Sequence, residues 1–292
     1  MKNKTAAFIF GLVFLCINTT NAQDLLEVLD QEFPETPQYE MATFKGTRIS
    51  IGHSVETRKK GVLEIMTMHK LWDIPNTRSQ KFGPDVVWSR FGLEYALTDR
   101  FTFGIGGNTA SQGYDGLLKY KLARQQKGEK GFPFSVSVFQ NLSFKERYSG
   151  NTNENLAYTT QVLIAHKFTP NFSLQLSPTY IYRGASALDV DPKSYFATGI
   201  GARLKVSSHV SLASEYYYIA NPLASKDTYG AFSFGLNWNV RYVLFQVLLT
   251  NSRSLVEDRF ILDTPNNFNA KVGNLVFGLN TIFSLQLKQN KK

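Results

Sequence analysis

Seven charged residues alternate with aromatic and aliphatic residues at a spacing of two, so extended segments would carry them on one face. A charged face opposite an apolar face suits two chemistries. One is a network of ion pairs and hydrogen bonds that fills a small enclosed space. The other is a water-filled path whose lining selects solutes, with a basic excess favouring anions. The predicted lumen-lining residues are Arg90, Glu94, Asp115, Lys119, Lys121, Arg203 and Glu215.

Catalytic and metal chemistry are not indicated. The histidines are too scattered for metal-ligand spacing, and they are His53, His69, His166 and His209. An enzyme acting on lipid would need a serine and a histidine placed together on a lipid-facing surface, and no such pair is evident from the spacing. We therefore predict no enzymatic activity, no catalytic residue, no metal and no cofactor.

Two glycine-rich stretches resemble dinucleotide-binding loops only superficially. Gly104–Gly107 and Gly199–Ala202 both lie inside alternating segments, and neither opens a helix within a βαβ unit. Small residues in such segments are typical of places where a neighbouring group approaches the backbone closely. No nucleotide site is predicted.

The elements that must position the charged residues are clearest between Val87 and Leu122. Three alternating runs follow one another there, joined first by a short corner at Thr98–Arg100 and then by a longer polar loop near residues 108–112. An apolar, aromatic face opposite a charged face on successive strands is typical of an antiparallel barrel in a membrane. A soluble β-barrel that binds a small ligand would instead need polar outward faces.

The N-terminus has the features of an export signal. Lys2 and Lys4 precede the apolar run 6–16, and small residues follow near Ala22. We predict a signal peptide over residues 1–22, whose removal takes away Cys16, the only cysteine, and leaves a net charge of +7. The basic residues are scattered and form no basic helix, so nucleic-acid binding is not expected.

The remainder divides into an N-terminal segment, 23–60, and a predicted barrel, 61–292. The N-terminal segment has an acidic start, a Pro34–Pro37 break and little alternation. The sequence leaves three placements open for it: a periplasmic extension, a segment folded into the lumen, or an extra strand. Beyond Gly61, about twelve runs of roughly ten residues succeed one another, which is the length that a tilted strand needs to cross a bilayer.

Loop lengths strengthen the barrel prediction. Connections after odd-numbered runs are long and polar, whereas those after even-numbered runs are mostly tight, with residues 124–131 as the exception. Outer-membrane barrels have this asymmetry, with short periplasmic turns and long external loops. The predicted fold class is all-β: an antiparallel transmembrane β-barrel of about twelve strands with both termini in the periplasm.

Three stretches resemble a Bacteroidota outer-membrane β-barrel family that carries only a domain-of-unknown-function label. They lie between Thr43 and Gln126 and read TFKGTRISIGHSVETRKKGVLEIMTMHKLW, FGLEYALTDRFTFGIGG and YDGLLKYKLARQQ. The resemblance implies the fold and an outer-membrane location, and it lends no catalytic residues.

The leading functional hypothesis is a monomeric, non-enzymatic outer-membrane protein. It would act as a small pore, a transport component or a structural partner of a periplasmic complex. Its expected partners are outer-membrane lipid, a small, anionic solute and a periplasmic protein. The alternatives are an outer-membrane enzyme acting on lipid and a secreted soluble β-barrel that binds a small ligand.

Overall fold

The structure is a computed structural model that describes residues 38–72, 84–109, 113–128, 131–145, 152–185, 188, 190–269 and 274–287. Residues Tyr39–Lys292 form one compact unit. The predicted signal peptide, 1–22, and the acidic start of the N-terminal segment lie outside the described residues, so their assignment stays a prediction.

Twelve antiparallel strands make a single closed barrel in which each strand pairs with its neighbours in the sequence. The barrel closes where β1 pairs with β12, from Val62 opposite Gln286 to Leu71 opposite Phe277. This confirms the predicted all-β, antiparallel barrel of about twelve strands. The strands are β1 (Val62–Trp72), β2 (Val86–Ala96), β3 (Phe101–Asn108), β4 (Gly113–Ala123), β5 (Ser135–Lys145), β6 (Leu156–Lys167), β7 (Phe172–Arg183), β8 (Ser194–Lys205), β9 (Val210–Ile219), β10 (Phe232–Val240), β11 (Val243–Thr250) and β12 (Val276–Gln286).

The two faces of the wall differ as a membrane requires. Large apolar side chains point outward, for example Phe91, Ile105 and Phe196, each more than half exposed. Inward positions are almost completely buried, and they include all the buried charged side chains of the strands together with many polar and some apolar ones. Because a soluble barrel needs the opposite arrangement, this pattern does not support the soluble alternative.

Two strands begin three residues later than the alternation of the sequence predicts. The run expected from Phe132 starts at Ser135, because Pro133 has no N–H to donate to the ladder and the Phe132 N–H bonds to the Gln126 side chain. The run expected from Tyr229 starts at Phe232, since the Tyr229 N–H donates to the carbonyl of Thr264 in the β11–β12 loop. In both places a group in a loop, and not the neighbouring strand, accepts the backbone hydrogen bond.

Helical structure within the described residues is confined to connections. A 3-10 turn (Thr152–Asn155) precedes β6, and a six-residue helix, α1 (Glu257–Leu262), lies in the β11–β12 loop. All six residues of α1 are buried. No helix in the described part of the chain is long and apolar enough to cross a membrane.

Candidate functional site: a filled lumen

Residues 43–56 of the N-terminal segment fold into the barrel lumen. Residues 43–56, which we call the plug, are almost entirely buried. Both plug ends lie at the end of the barrel that carries the short turns. There the Lys45 ammonium donates to the carbonyl of Ser208 at 2.7 Å, and the Lys60 N–H donates to the Asp99 carboxylate at 2.8 Å.

The inner tip of the plug is bound by one wall carboxylate. Glu215 on β9 accepts hydrogen bonds at one oxygen from three consecutive backbone N–H groups: Ser50 at 3.0 Å, Ile51 at 2.7 Å and Gly52 at 3.1 Å. The Ser50 hydroxyl donates to the same oxygen at 2.7 Å. Such charge-assisted bonds are stronger than bonds between neutral groups, so Glu215 is the most heavily used plug anchor on the described wall.

Two lysines of β4 hold the plug from the other side. The Lys119 ammonium donates to three plug carbonyls, those of Thr47, Ser54 and Glu56, at 3.1–3.3 Å. The Lys121 ammonium forms an ion pair with the Glu56 carboxylate at 2.8 Å. The charges on β4 therefore pair with the plug and do not face open solvent.

Amide side chains complete the attachment. Asn237 and Gln246 both donate to the Ile49 carbonyl, at 3.1 and 3.0 Å, and Asn280 donates to the Ser50 carbonyl at 3.2 Å. Gln175 on β7 accepts from the Val55 N–H at 2.7 Å and donates to the His53 carbonyl at 2.8 Å. The plug thus forms hydrogen bonds with strands on all sides of the barrel, and its apolar side chains Phe44, Ile49 and Val55 also pack in a cluster with wall residues such as Phe139.

The other end of the lumen is closed by the β11–β12 loop, which we call the outer loop. Arg183 on β7 forms an ion pair with Asp263 at 2.7 Å, and Ser143 on β5 donates to Asp258 at 2.9 Å. The outer loop also touches the plug, because Arg48 donates to Glu257 at 3.2 Å. An apolar cluster surrounds this junction and includes Ile51, Tyr217, Phe260, Ile261 and Leu262.

One ion pair lies entirely within the wall. The guanidinium of Arg90 on β2 makes a two-pronged contact with Asp115 on β4, with Nε donating to Oδ1 at 2.9 Å. To do so it crosses β3 at Gly106, where a Cβ atom would collide with it. A glycine that makes room for a neighbouring group is what the sequence pattern at Gly104–Gly107 predicts.

All seven predicted lumen-lining side chains are buried, with exposed fractions between 1% and 6%. Six contact the plug or each other: Arg90 with Asp115, and Lys119, Lys121, Arg203 and Glu215 with the plug. Glu94 is the exception, because its carboxylate accepts no hydrogen bond from the described residues. Whether these residues line a conducting path stays a prediction.

Sequence reasoning missed three charged residues on the same buried face: Glu64, Lys70 and Arg183. Glu64 accepts from Thr47 at 2.7 Å and from Arg58 at 2.6 Å, so it also anchors the N-terminal segment. The signal was present, because the period-two pattern of β1 and β7 places these residues on the inward side. The sequence of the plug has no comparable pattern that would predict its place in the lumen.

Two histidines have a serine within hydrogen-bond distance. His69 Nδ1 lies 2.7 Å from Ser89 Oγ on the lipid-facing side of β1 and β2, and His209 Nδ1 lies 2.8 Å from Ser208 Oγ in a short turn. The described residues supply no carboxylate within ion-pair distance of either ring, so the group that would orient a catalytic histidine is not seen. The arrangement does not support the lipid-acting enzyme. No cluster of three metal-ligating side chains occurs in the described ranges either.

His53 is completely buried in the plug, between Phe139 of the wall and Glu257 of the outer loop. Its ring packs on Phe139 with centroids 4.1 Å apart, and Nε2 lies 3.5 Å from the Glu257 carboxylate. Burial, followed by the positive charges of Arg48, Lys119 and Arg90, lowers the pKa of His53 well below its usual value of 6.5. The pKa of the neighbouring Glu257 carboxyl shifts in the other direction, because burial raises it. The imidazole is therefore held neutral inside the barrel.

We expect acidification to favour release of the plug through His53. A released His53 takes up a proton below about pH 6.5, whereas the buried one does not, so its contribution to the closed state is present above that pH and is lost as the pH falls. Each unit by which the pKa of His53 is lowered in the closed state corresponds to about a tenfold change in the equilibrium between bound and released plug. The measurement is open probability in planar bilayers between about pH 7.5 and about pH 5. His53→Asn should respond less to acid than the parent protein, and an equal response would contradict this account.

Comparison with solved structures finds proteins with a similar barrel fold. The KdgM porin in complex with disordered oligogalacturonate is 11% identical, with a TM-score of 0.50, covering 76% of this chain and 99% of that one. The NanC porin is 11% identical, with a TM-score of 0.49 and coverages of 77% and 100%. An outer membrane channel from Pseudomonas putida F1 is 14% identical, with a TM-score of 0.46 and coverages of 79% and 98%.

These identities are low, so the likeness concerns the fold alone. Comparison with curated protein sequences finds no significant match. A family model described as "Membrane bound beta barrel domain (DUF5777)" matches residues 44–285, a range that includes nearly all of the plug and of the barrel. The chain therefore belongs to this family of membrane-bound β-barrels.

Proposed function

We propose that this protein is a gated pore of the outer membrane, closed by its own plug and outer loop. The observation that carries the proposal is the polar character of the surface between plug and wall. Ten charged side chains of the described strands are buried against the lumen, and the plug is held by hydrogen bonds to several of them and to wall amides, in addition to an apolar cluster that includes Phe44, Ile49 and Val55. A barrel filled only for rigidity would gain more from an apolar interior, because buried ion pairs contribute little net stability.

A polar wall also suits the open state. When the plug leaves, water can hydrate the exposed amides and charges, whereas an apolar lumen would tend to dewet and stay non-conducting. Six of the ten buried wall charges are cationic: Lys70, Arg90, Lys119, Lys121, Arg183 and Arg203. The four acidic residues are Glu64, Glu94, Asp115 and Glu215. This excess supports small anions as the solutes that would pass.

The proposal includes export by a cleaved signal over residues 1–22, with the short turns in the periplasm and the long loops outside. Outward apolar side chains on all sides of the wall support insertion in a bilayer. In this orientation the plug enters from the periplasm. A cleft of about 350 Å³ at that mouth, lined by Glu56, Lys121 and Arg124 among others, would give solutes access up to the plug.

Conductance in planar bilayers tests the proposal. The plug can be cut out without stretching the chain, because the Thr43 N–H donates to the Glu56 side chain at 2.7 Å and the two ends are thus adjacent. The base of the outer loop is likewise closed, since the Asn251 amide donates to the Asn266 carbonyl at 2.9 Å. Short Gly-Ser linkers in place of residues 44–55 and 252–265 should therefore leave the barrel intact.

We expect the parent protein to be mostly closed and the variant lacking both segments to conduct in stable, anion-preferring steps. Each single replacement should conduct less than the double one, because the remaining segment still blocks part of the lumen. Heat-modifiable migration on gels serves as the control for folding. A double variant that is folded and inserted but does not conduct would refute the pore.

A further inference from the structure

The tip of the plug contains a binding site for a carboxylate, which Glu215 fills in the closed state. The site consists of the backbone N–H groups of Ser50, Ile51 and Gly52 and the Ser50 hydroxyl, all donating to one Glu215 oxygen at 2.7–3.1 Å. Successive N–H groups in a turn that converge on one point are a general anion-binding arrangement. We call these four donors the amide cradle.

The cradle and its occupant come from different parts of the molecule. The donors belong to the plug, whereas Glu215 lies on β9, more than 160 residues away in the sequence. When the plug moves away from the wall, the cradle leaves with it and loses its carboxylate. Four donors that were buried and satisfied then need another acceptor, either water or an anion.

We propose that Glu215 is a latch and that carboxylate-bearing solutes compete with it for the amide cradle, which favours opening. The inference rests on the pore function proposed above and names a ligand class and a regulatory step for it. In the closed state the cradle is occupied, so a solute carboxylate binds only the released plug. A ligand that binds one of two states shifts the population toward that state, in this case toward the open pore.

The latch is tested by comparing two wall glutamates. Glu215 and Glu94 are both glutamates of the inner wall that are 2% exposed, but Glu94 accepts no hydrogen bond from the described residues. Glu215→Gln should raise open probability in planar bilayers at least about tenfold, because a neutral amide binds the cradle less strongly than a carboxylate. Glu94→Gln is the matched control, and it should change open probability much less. Equal effects of the two variants would overturn the latch.

The ligand class is tested with acetate as the probe. Replacing chloride by acetate at constant ionic strength and pH should raise the open probability of the parent protein several-fold, whereas neutral acetamide should not. Glu215→Ala leaves a space of about the size of acetate beside the cradle in the closed state. Acetate should then bind the closed form too, so its opening effect should disappear or reverse. No acetate effect on the parent, or the same effect in Glu215→Ala, would overturn the competition.

Failure of this inference differs from failure of the pore. If the variant lacking plug and outer loop conducts while Glu215→Gln behaves like the parent, the pore stands and the latch is wrong. If that variant is folded and never conducts, the pore itself is wrong. Heat-modifiable migration of every variant excludes misfolding as the cause.

Discussion

Asp115→Ala is expected to lower the free energy of unfolding by about 3–5 kcal/mol, the largest effect that we predict for a single substitution in the wall. Arg90 is 1% exposed, and Asp115 is its two-pronged partner. Without Asp115, a buried guanidinium loses its counter-charge while it stays shielded from water. Unfolding by denaturant in detergent or lipid vesicles, followed by the heat-modifiable gel shift, measures the change.

The control removes the pair together. Arg90→Met combined with Asp115→Leu replaces two buried charges by apolar groups of similar size, and such replacements are often neutral or stabilising. The double variant should therefore be clearly more stable than Asp115→Ala alone. If it is as unstable as the single variant, loss of packing and not an unpaired charge is responsible.

Lys119→Met is expected to raise open probability about ten- to a hundredfold, because a charged donor to three buried plug carbonyls is lost. The three carbonyls of Thr47, Ser54 and Glu56 would then lack their shared partner in the closed state but could bind water in the open one. Single-channel recording in planar bilayers measures the ratio of open to closed time.

Lys70→Met provides the matched control. Lys70 is equally buried on the same side of the barrel, at 1% exposure, but its ammonium has no hydrogen-bond partner among the described residues. Lys70→Met removes the same kind of side chain without removing a hydrogen bond to the plug, so open probability should stay close to that of the parent. A similar increase in both lysine variants would show that lumen charge, and not plug attachment, controls opening.

The barrel was predictable from the sequence because every strand carries its own signal. In β7, alternation alone gives the bounds Phe172–Arg183 that the structure shows. Each inward residue needs only to be polar and each outward residue apolar, whatever its neighbours are. Loop lengths then indicate which end of the barrel carries the short turns.

The pairing of the lumen charges was not predictable in the same way. The sequence suggests Arg90 and Glu94 as neighbours on one strand face, but four residues along a strand separate two backbone positions by about 13 Å. Arg90 instead reaches across β3 to Asp115, which requires the register of three strands and the missing side chain at Gly106. No one-strand pattern contains that information.

The placement of the plug was even less predictable from the sequence than the pairing of the lumen charges. Its backbone groups bind side chains from strands up to 230 residues away, such as Asn280 on β12. Residues 43–56 therefore need neither period-two alternation nor helical periodicity, and the sequence left their placement open. The partners exist only after the barrel has closed.

The position of the plug in the chain has a consequence for folding. The plug precedes β1, and its partners extend to β12, the last strand, which pairs with β1 to close the barrel. These contacts span almost the whole chain, and contacts of such long range form late and slowly. Barrel closure and sealing of the lumen would then be completed in the same step, so that the newly assembled protein does not pass through an inserted, leaky intermediate.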